Sequence, residues 1–179
     1  MPTEVIDGAS YEVAPIQRKQ LAGFHAALDR VARERRYLAM LEAPPFSRTR
    51  RLVLESLRHG AVHVVAALGD EVVGWCDLRP KAAVTLKHSA VLGMGIIQGH
   101  RGRGLGTRML AQTLDLALAR DIRRAELIVR ADNTPAISLY RRFGFEVEGT
   151  CRQYMSIDGT DHDALLMARL LGNSPHHAG

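Results

Sequence analysis

The densest set of chemistry-bearing residues is the run Gln98-Gly99-His100-Arg101-Gly102-Arg103-Gly104-Leu105-Gly106-Thr107. Its glycines let backbone come close to a ligand, while Arg101, Arg103 and Arg108 add positive charge. An apolar stretch, Ala90 to Ile97, precedes it, and helically spaced Leu105, Met109, Leu110, Leu114, Ala117 and Leu118 follow. A strand therefore ends, a basic turn follows and a helix begins. Unpaired N–H groups at a helix start carry partial positive charge and attract phosphate, so the turn is suited to a diphosphate. A P-loop would need Lys and then Ser or Thr after its last glycine, but Leu105-Gly106 follows Gly104. A dinucleotide fingerprint needs Gly-x-Gly-x-x-Gly, and Gly102, Gly104 and Gly106 are spaced differently. A ligand-free Gly-Arg surface turn is the bland alternative.

A second constellation follows the strand-like Leu127-Ile128-Val129-Arg130. Pro135 suits a first helical turn, with Thr134 as its cap. Ala136, Leu139, Tyr140 and Phe143 share a face, and Gly144 closes the helix in left-handed geometry. The pattern Arg101-x-x-Gly104-x-Gly106 resembles the coenzyme A loop of the GNAT N-acetyltransferases. Asn133-x-x-Ala136-x-x-Leu139-Tyr140-x-x-x-Gly144-Phe145 is similar to that family's second cofactor motif. The two motifs stand in the family's order and separation, and the resemblance covers roughly residues 10 to 171.

The resemblance implies acetyl-CoA as cosubstrate and direct attack of a primary amine on the thioester. Arg101, Gly102, Arg103, Gly104, Leu105, Gly106 and Thr107 would hold the diphosphate, and Asn133 the pantetheine or its own loop. Gly93 and Gly95 lie inside a strand, which by itself signals a bulge or a crowded sheet. In the family this strand bulges and splays from the next, and the pantetheine bonds to it. Here that assigns Met94, Gly95 and Ile96, with an N–H near Ile96 facing the developing oxyanion. Tyr140 matches the family tyrosine that protonates the leaving thiolate, although it also reads as a core tyrosine.

Some relatives carry a glutamate base where this chain has Ile128. Glu126 lies two residues earlier on the same strand face and is a candidate base through water; a structural role fits equally. His63, His88, His100 and ordered water are alternatives. Tyr37, Leu41, Glu42 and Trp75 are candidates for the acceptor pocket, with Glu42 also readable as a solvated loop acid. Two departures from the family are Asp161, where an aromatic is frequent, and Asp121, where glycine is common at the end of the long helix. A non-catalytic acyl-CoA-binding or sensing module is the second reading. The acid missing at Ile128 favours it and the retained Tyr140 opposes it.

These groups must be positioned by a chain of 179 residues, enough for one domain with a real core. The order expected is a strand Tyr11–Ile16, a helix Arg18–Tyr37, a helix capped by Ser47 to Arg58, and a hairpin Ala61–Leu68 and Glu71–Leu78 turning at Gly69-Asp70. Then come the strand Ser89–Ile97, the two helices above with Leu127–Arg130 between them, and a hairpin Phe145–Met155 and Ala164–Leu170 around Asp158-Gly159. The expected class is α+β: a single domain over 1–179, ordered from about 10 to 171 and frayed over 172–179, with a mixed, mostly antiparallel sheet and helices on both faces. His176 and His177 fall in that frayed tail.

Cys76 and Cys151 form neither a metal-spaced pair nor a nucleophile motif, so no metal is expected. Net charge is +5, but the arginine clusters are scattered and aromatics are only 5%, which argues against nucleic acid. No apolar run reaches membrane-spanning length and no leader pattern opens the chain, giving a cytoplasmic protein without a membrane partner as the expectation. The expected partners are a small-molecule or peptide amine and, by family habit, a second copy in a homodimer.

Overall fold

The computed structural model describes residues 3–6 and 9–172, with side chains from residue 10 onward. Its strands are β1 (Thr3–Ile6), β2 (Ala9–Pro15), β3 (Val62–Leu68), β4 (Glu71–Pro80), β5 (Ser89–Ile96), β6 (Arg124–Arg130), β7 (Glu146–Ile157) and β8 (Thr160–Leu170). The helices are α1 (Leu21–Arg33), α2 (Phe46–Arg58), α3 (Leu105–Leu118) and α4 (Thr134–Arg142). The strands form one sheet in the order β1-β2-β3-β4-β5-β6-β8-β7. Every neighbouring pair is antiparallel except β5 and β6. That parallel pair needs a crossover, which α3 supplies.

β3 and β4 are buried along almost their whole length, because both sheet faces are covered. On one face Leu105, Met109, Leu110 and Leu114 of α3 and Leu139 of α4 pack on Val64, Cys76, Leu78 and Leu92. On the other, Leu21, Phe24 and Val31 of α1 and Val53 of α2 pack on Val65, Val72 and Trp75. Helices on both faces of a mixed sheet match the expected class.

One feature of the sheet decides where a ligand can go. β5 and β6 pair only from Ser89 to Val91 against Arg124 to Glu126. Beyond that point β5 stays on β4 as far as Ile96, while β6 runs on against β8 as far as Arg130. The expected splay is present. The expected bulge is not: β5 keeps unbroken register with β4 from Ala90 to Ile96. Its glycines have another reason. A Cβ on Gly95 would lie 2.3 Å from the Trp75 ring, and one on Gly93 2.8 Å from Asp77 Oδ1. Both glycines make room for side chains that lean across from β4.

Other differences have local causes. The helix expected over Arg18–Tyr37 begins as a 3₁₀ turn, Arg18–Gln20, and α1 ends at Arg33; Arg35 then turns the chain with φ 51°. Thr134 is the first residue of α4 rather than its cap. Asn133 is the cap, its side chain accepting from the Ala136 N–H at 3.4 Å. α2 starts after Pro45 at Phe46, with no side-chain cap from Ser47. β1 was not foreseen. The tail from residue 173, with His176 and His177, lies outside the described residues.

The Gly95–Trp75 contact makes a direct prediction. Gly95→Ala should lower unfolding free energy by about 1–3 kcal/mol through overpacking. Trp75→Leu in the same chain should relieve part of that loss, read as a coupling energy in urea denaturation. A Gly95→Ala chain as stable as the parent would contradict this contact.

Candidate active site

Where β5 and β6 part, backbone polar groups lose their partners. Ile97 N–H donates to Val73 O on β4, so alternation along the strand turns Gly95 and Gly93 toward β4 as well. Met94 and Ile96 point the other way, into the gap. The Ile96 carbonyl there accepts from Arg101 Nε at 2.8 Å. The backbone groups left facing the gap are thus those of Met94 and the Ile96 N–H, the Ile96 carbonyl being held by Arg101. Gly95, also assigned from sequence, spends its own on the β4 ladder.

The gap leads into a groove of about 480 Å³. Met94, Gly95, Ile96, Arg101, Gly102, Gly104, Gly106, Thr107, Asn133 and Tyr140 all line it, so the structure brings both sequence motifs together. Gly102 and Gly104 take φ of +76° and +73°, which only glycine adopts without cost. A Cβ on either would meet nothing within 4 Å, so these glycines serve the turn and leave its surface bare. Gly104 caps α3 with no side-chain hydrogen bond, and the first helical bond runs from Arg108 N–H to Gly104 O. The N–H groups of Leu105, Gly106 and Thr107 precede that bond, which is the arrangement that receives a phosphate. Gly106 has a packing reason too, since a Cβ there would sit 3.1 Å from Leu139 of α4.

Several assigned residues stand elsewhere. The Leu105 side chain is buried in the core and Arg103 does not line the groove. Arg101 does, yet its guanidinium holds both Glu34 carboxylate oxygens, at 2.6 and 2.8 Å, besides Ile96 O. Arg101 therefore fastens the loop to β5 and to the end of α1. Tyr37 lies on the groove side rather than in an acceptor pocket, with Arg36, Arg101 and Arg130 at 5.1 to 5.9 Å from its ring centre. Glu42 is an exposed partner of Arg33 at 3.3 Å, lining neither cavity.

Glu126 is also remote. It sits where β5 and β6 are still joined, held by Lys81 at 2.5 Å and Arg124 at 3.2 Å. Burial pushes its carboxyl up, but the Lys81 and Arg124 hydrogen bonds outweigh this and hold it below the ordinary range. A locked, weakly basic carboxylate outside the groove is poorly placed to take a proton. His100 is bonded to the Tyr11 hydroxyl at 2.9 Å.

Tyr140 is buried on α4 and lines the groove, its ring 5.7 Å from Phe145. Burial, and then the neighbouring Cys76, hold its phenol well above the ordinary range, so it stays protonated. Cys76 is a fully buried thiol pushed up to about 12 by burial, consistent with packing rather than nucleophilic use. Val31, Leu38, Pro135, Ala136, Leu139 and Arg142 complete the groove; Pro135, Ala136 and Leu139 belong to the second sequence motif, whereas Leu38 and Arg142 had no role assigned from sequence.

A second cavity, of about 250 Å³, opens on the opposite face of the sheet, between it and α1 and α2. Met94 and Leu38 line both cavities, so the two meet at the parted strand. Trp75 forms part of its wall. At its polar end His63 on β3, an alternative base from sequence, Asp77 on β4, which was missed, and the space over Gly93 on β5 form one row across the sheet. Asp77 is 8% exposed and bonded to Arg79 Nε at 2.8 Å. An acid inside the apolar run Val72 to Leu78 was the available signal.

Burial pushes Asp77 up to about 6, against the pull of Arg79, and drives His63 down to about 4. A carboxyl whose folded pKa lies above its unfolded value of about 3.9 stabilises fully below that value and loses the contribution as pH rises through about 6. Asp77→Asn should therefore gain stability relative to the parent by up to about 3 kcal/mol between pH 4 and 7, measured by urea unfolding. A difference that does not change with pH would contradict the buried acid.

The sequence profile of the Acetyltransferase (GNAT) family matches residues 24–145. The L-amino acid N-acetyltransferase AaaT of Escherichia coli (strain K12) is 32% identical over 116 residues, 63% of this chain and 70% of that protein. The N-alpha-acetyltransferase RimI of Mycobacterium tuberculosis is 32% identical over 99 residues, 55% of this chain and 61% of its relative. Among solved structures, yncA of Salmonella typhimurium with its cofactor acetyl-CoA superposes with a TM-score of 0.86 at 14% identity, over 92% of this chain and 96% of that one. At that identity the likeness speaks for the fold. GNAT acetyltransferases use acetyl-CoA, and the bare loop, uncapped helix start and unpaired strand groups here fit it. The chain belongs to the GNAT acetyltransferase family and is an N-acetyltransferase.

Proposed function

We propose that the protein moves the acetyl group of acetyl-CoA to a primary amine by direct attack, with both substrates bound together. The observation that carries this reading is the meeting of two cavities at Met94, where β5 has left β6. A thioester carrier fits the groove on the α3–α4 side and an amine the cavity on the α1–α2 side. In this reading the N–H groups of Leu105, Gly106 and Thr107 hold the diphosphate, and Asn133 orders the loop after β6. The Met94 backbone bonds the pantetheine as an added strand would. The N–H that Ile96 turns into the gap is available to a developing oxyanion.

Proton accounting fixes what else is needed. An acceptor ammonium must lose two protons to become an amide, the departing thiolate gains one, and one leaves to solvent. The Tyr140 hydroxyl supplies the donor on the thiolate's side. Its raised pKa makes it a persistent hydrogen-bond donor, and the proton it passes on is replaced from the amine or from water. Relatives are named for acetylating free amino acids and protein α-amines, and both are primary amines.

Tyr140→Phe should cut kcat by about 100-fold, followed as thiol release, and leave the acetyl-CoA dissociation constant within about twofold by calorimetry. Undiminished kcat would remove Tyr140 from the chemistry.

A further inference from the structure

Resting on the acetyltransferase reading above, we propose that the Asp77–Arg79 pair recognises the acceptor as a free α-amino acid with an apolar side chain. Asp77 takes its ammonium and the first proton, and Arg79 takes its carboxylate. The geometry supports this in three ways. First, the acid is placed at the junction of the two substrates: Asp77 lies opposite Gly93 on β5, and the next residue, Met94, borders the groove. Gly93 is what keeps its carboxylate accessible in that row, since a Cβ there would crowd Oδ1 to 2.8 Å.

Second, the pair is a complement to a zwitterion. Asp77 is buried, whereas Arg79 is 56% exposed in its side chain and open to a second anion. A ligand carrying both charges exchanges one internal ion pair for two pairs across the site, so no buried charge is left alone. An amine without a carboxylate would compete with Arg79 for Asp77 and give Arg79 nothing in return. A peptide N-terminus offers no carboxylate at that distance from its amine. Third, apart from Thr49 and Ser56 the rest of the cavity is apolar: Phe24, Leu28, Leu38, Met40, Leu57 and Trp75 surround the space for a side chain the size of leucine or methionine. His63, 7% exposed and with Nε2 lacking a partner, adds a neutral polar contact at the same end.

The step balances without a further reagent. One ammonium proton passes to an Asp77 oxygen and on to solvent, and the freed nitrogen pair forms the N–C bond as the C–S bond breaks. The second nitrogen proton ends on the thiol through the Tyr140 side. The raised affinity of Asp77 for protons suits a base that must accept one near neutrality.

The test is an initial-rate panel with acetyl-CoA and L-leucine, L-methionine, isoamylamine (leucine without its carboxylate), leucinamide and spermidine. The parent should favour leucine or methionine over isoamylamine and leucinamide by about tenfold or more in kcat/KM. Arg79→Gln, at a half-exposed position, should raise KM for leucine about tenfold and, by removing the cation that competes for Asp77, lower rather than raise KM for isoamylamine, so that the preference for leucine collapses. Asp77→Asn should lower kcat for every amine about 100-fold with acetyl-CoA affinity retained. Equal use of isoamylamine, leucinamide or spermidine, or an Arg79→Gln effect shared by all amines, overturns the proposal and leaves the acetyltransferase reading standing. No thiol release with any amine overturns both.

Discussion

Two strands that begin a parallel ladder and abandon it after three residue pairs set the terms for the rest of this molecule. A sheet interior normally satisfies every backbone group, because an unmet one costs free energy comparable to a lost hydrogen bond. Here the sequence gives up part of that stabilisation to keep Met94 and Ile96 facing open space. The ladders β4–β5 and β6–β8 are unbroken on either side and hold the gap at fixed width. Arg101 closes the far corner by bonding Ile96 O and Glu34 together.

The gap divides the chemistry between two faces. On the α3–α4 face stand the bare helix start, Asn133 and the buried phenol of Tyr140. On the α1–α2 face stand Trp75, Asp77 and His63. Alternation along β4 explains the split, since Cys76 and Leu78 pack on the α3 side while Trp75 and Asp77 point to the other. Gly93 and Gly95 are the counterpart on β5: without side chains they let Trp75 and Asp77 lie across the strand next to the reacting position. The proposed reaction uses this division, with one amine and one thioester approaching from opposite sides.

The cofactor side was legible from sequence because its determinants are local. Gly144 takes the left-handed φ expected of it, Gly102 and Gly104, read as letting the backbone approach a ligand, take positive φ as well, and Asp121 takes φ 57° at the position where the family commonly has glycine. Helix periodicity placed Tyr140, and the fold class followed from the alternation of hairpins and helices. The side proposed for the acceptor was not legible in the same way, since it depends on long-range juxtaposition. Glu126 looked available on its strand, but Lys81, just past the end of β4, closes on it. Tyr37 looked like an acceptor residue until the chain turned at Arg35 and carried it to the arginines of the groove. Asp77 went unnoticed inside an apolar strand, because its exposure to the cavity depends on glycine in the neighbouring strand.

The most direct test of the parted strands is amide hydrogen exchange resolved by residue, with and without saturating acetyl-CoA. Exchange at Met94 and Ile96 should slow markedly on binding, while Gly95, already bonded to β4, should change little. Unaltered exchange at Met94 and Ile96 in the bound protein would contradict the central role given to this gap.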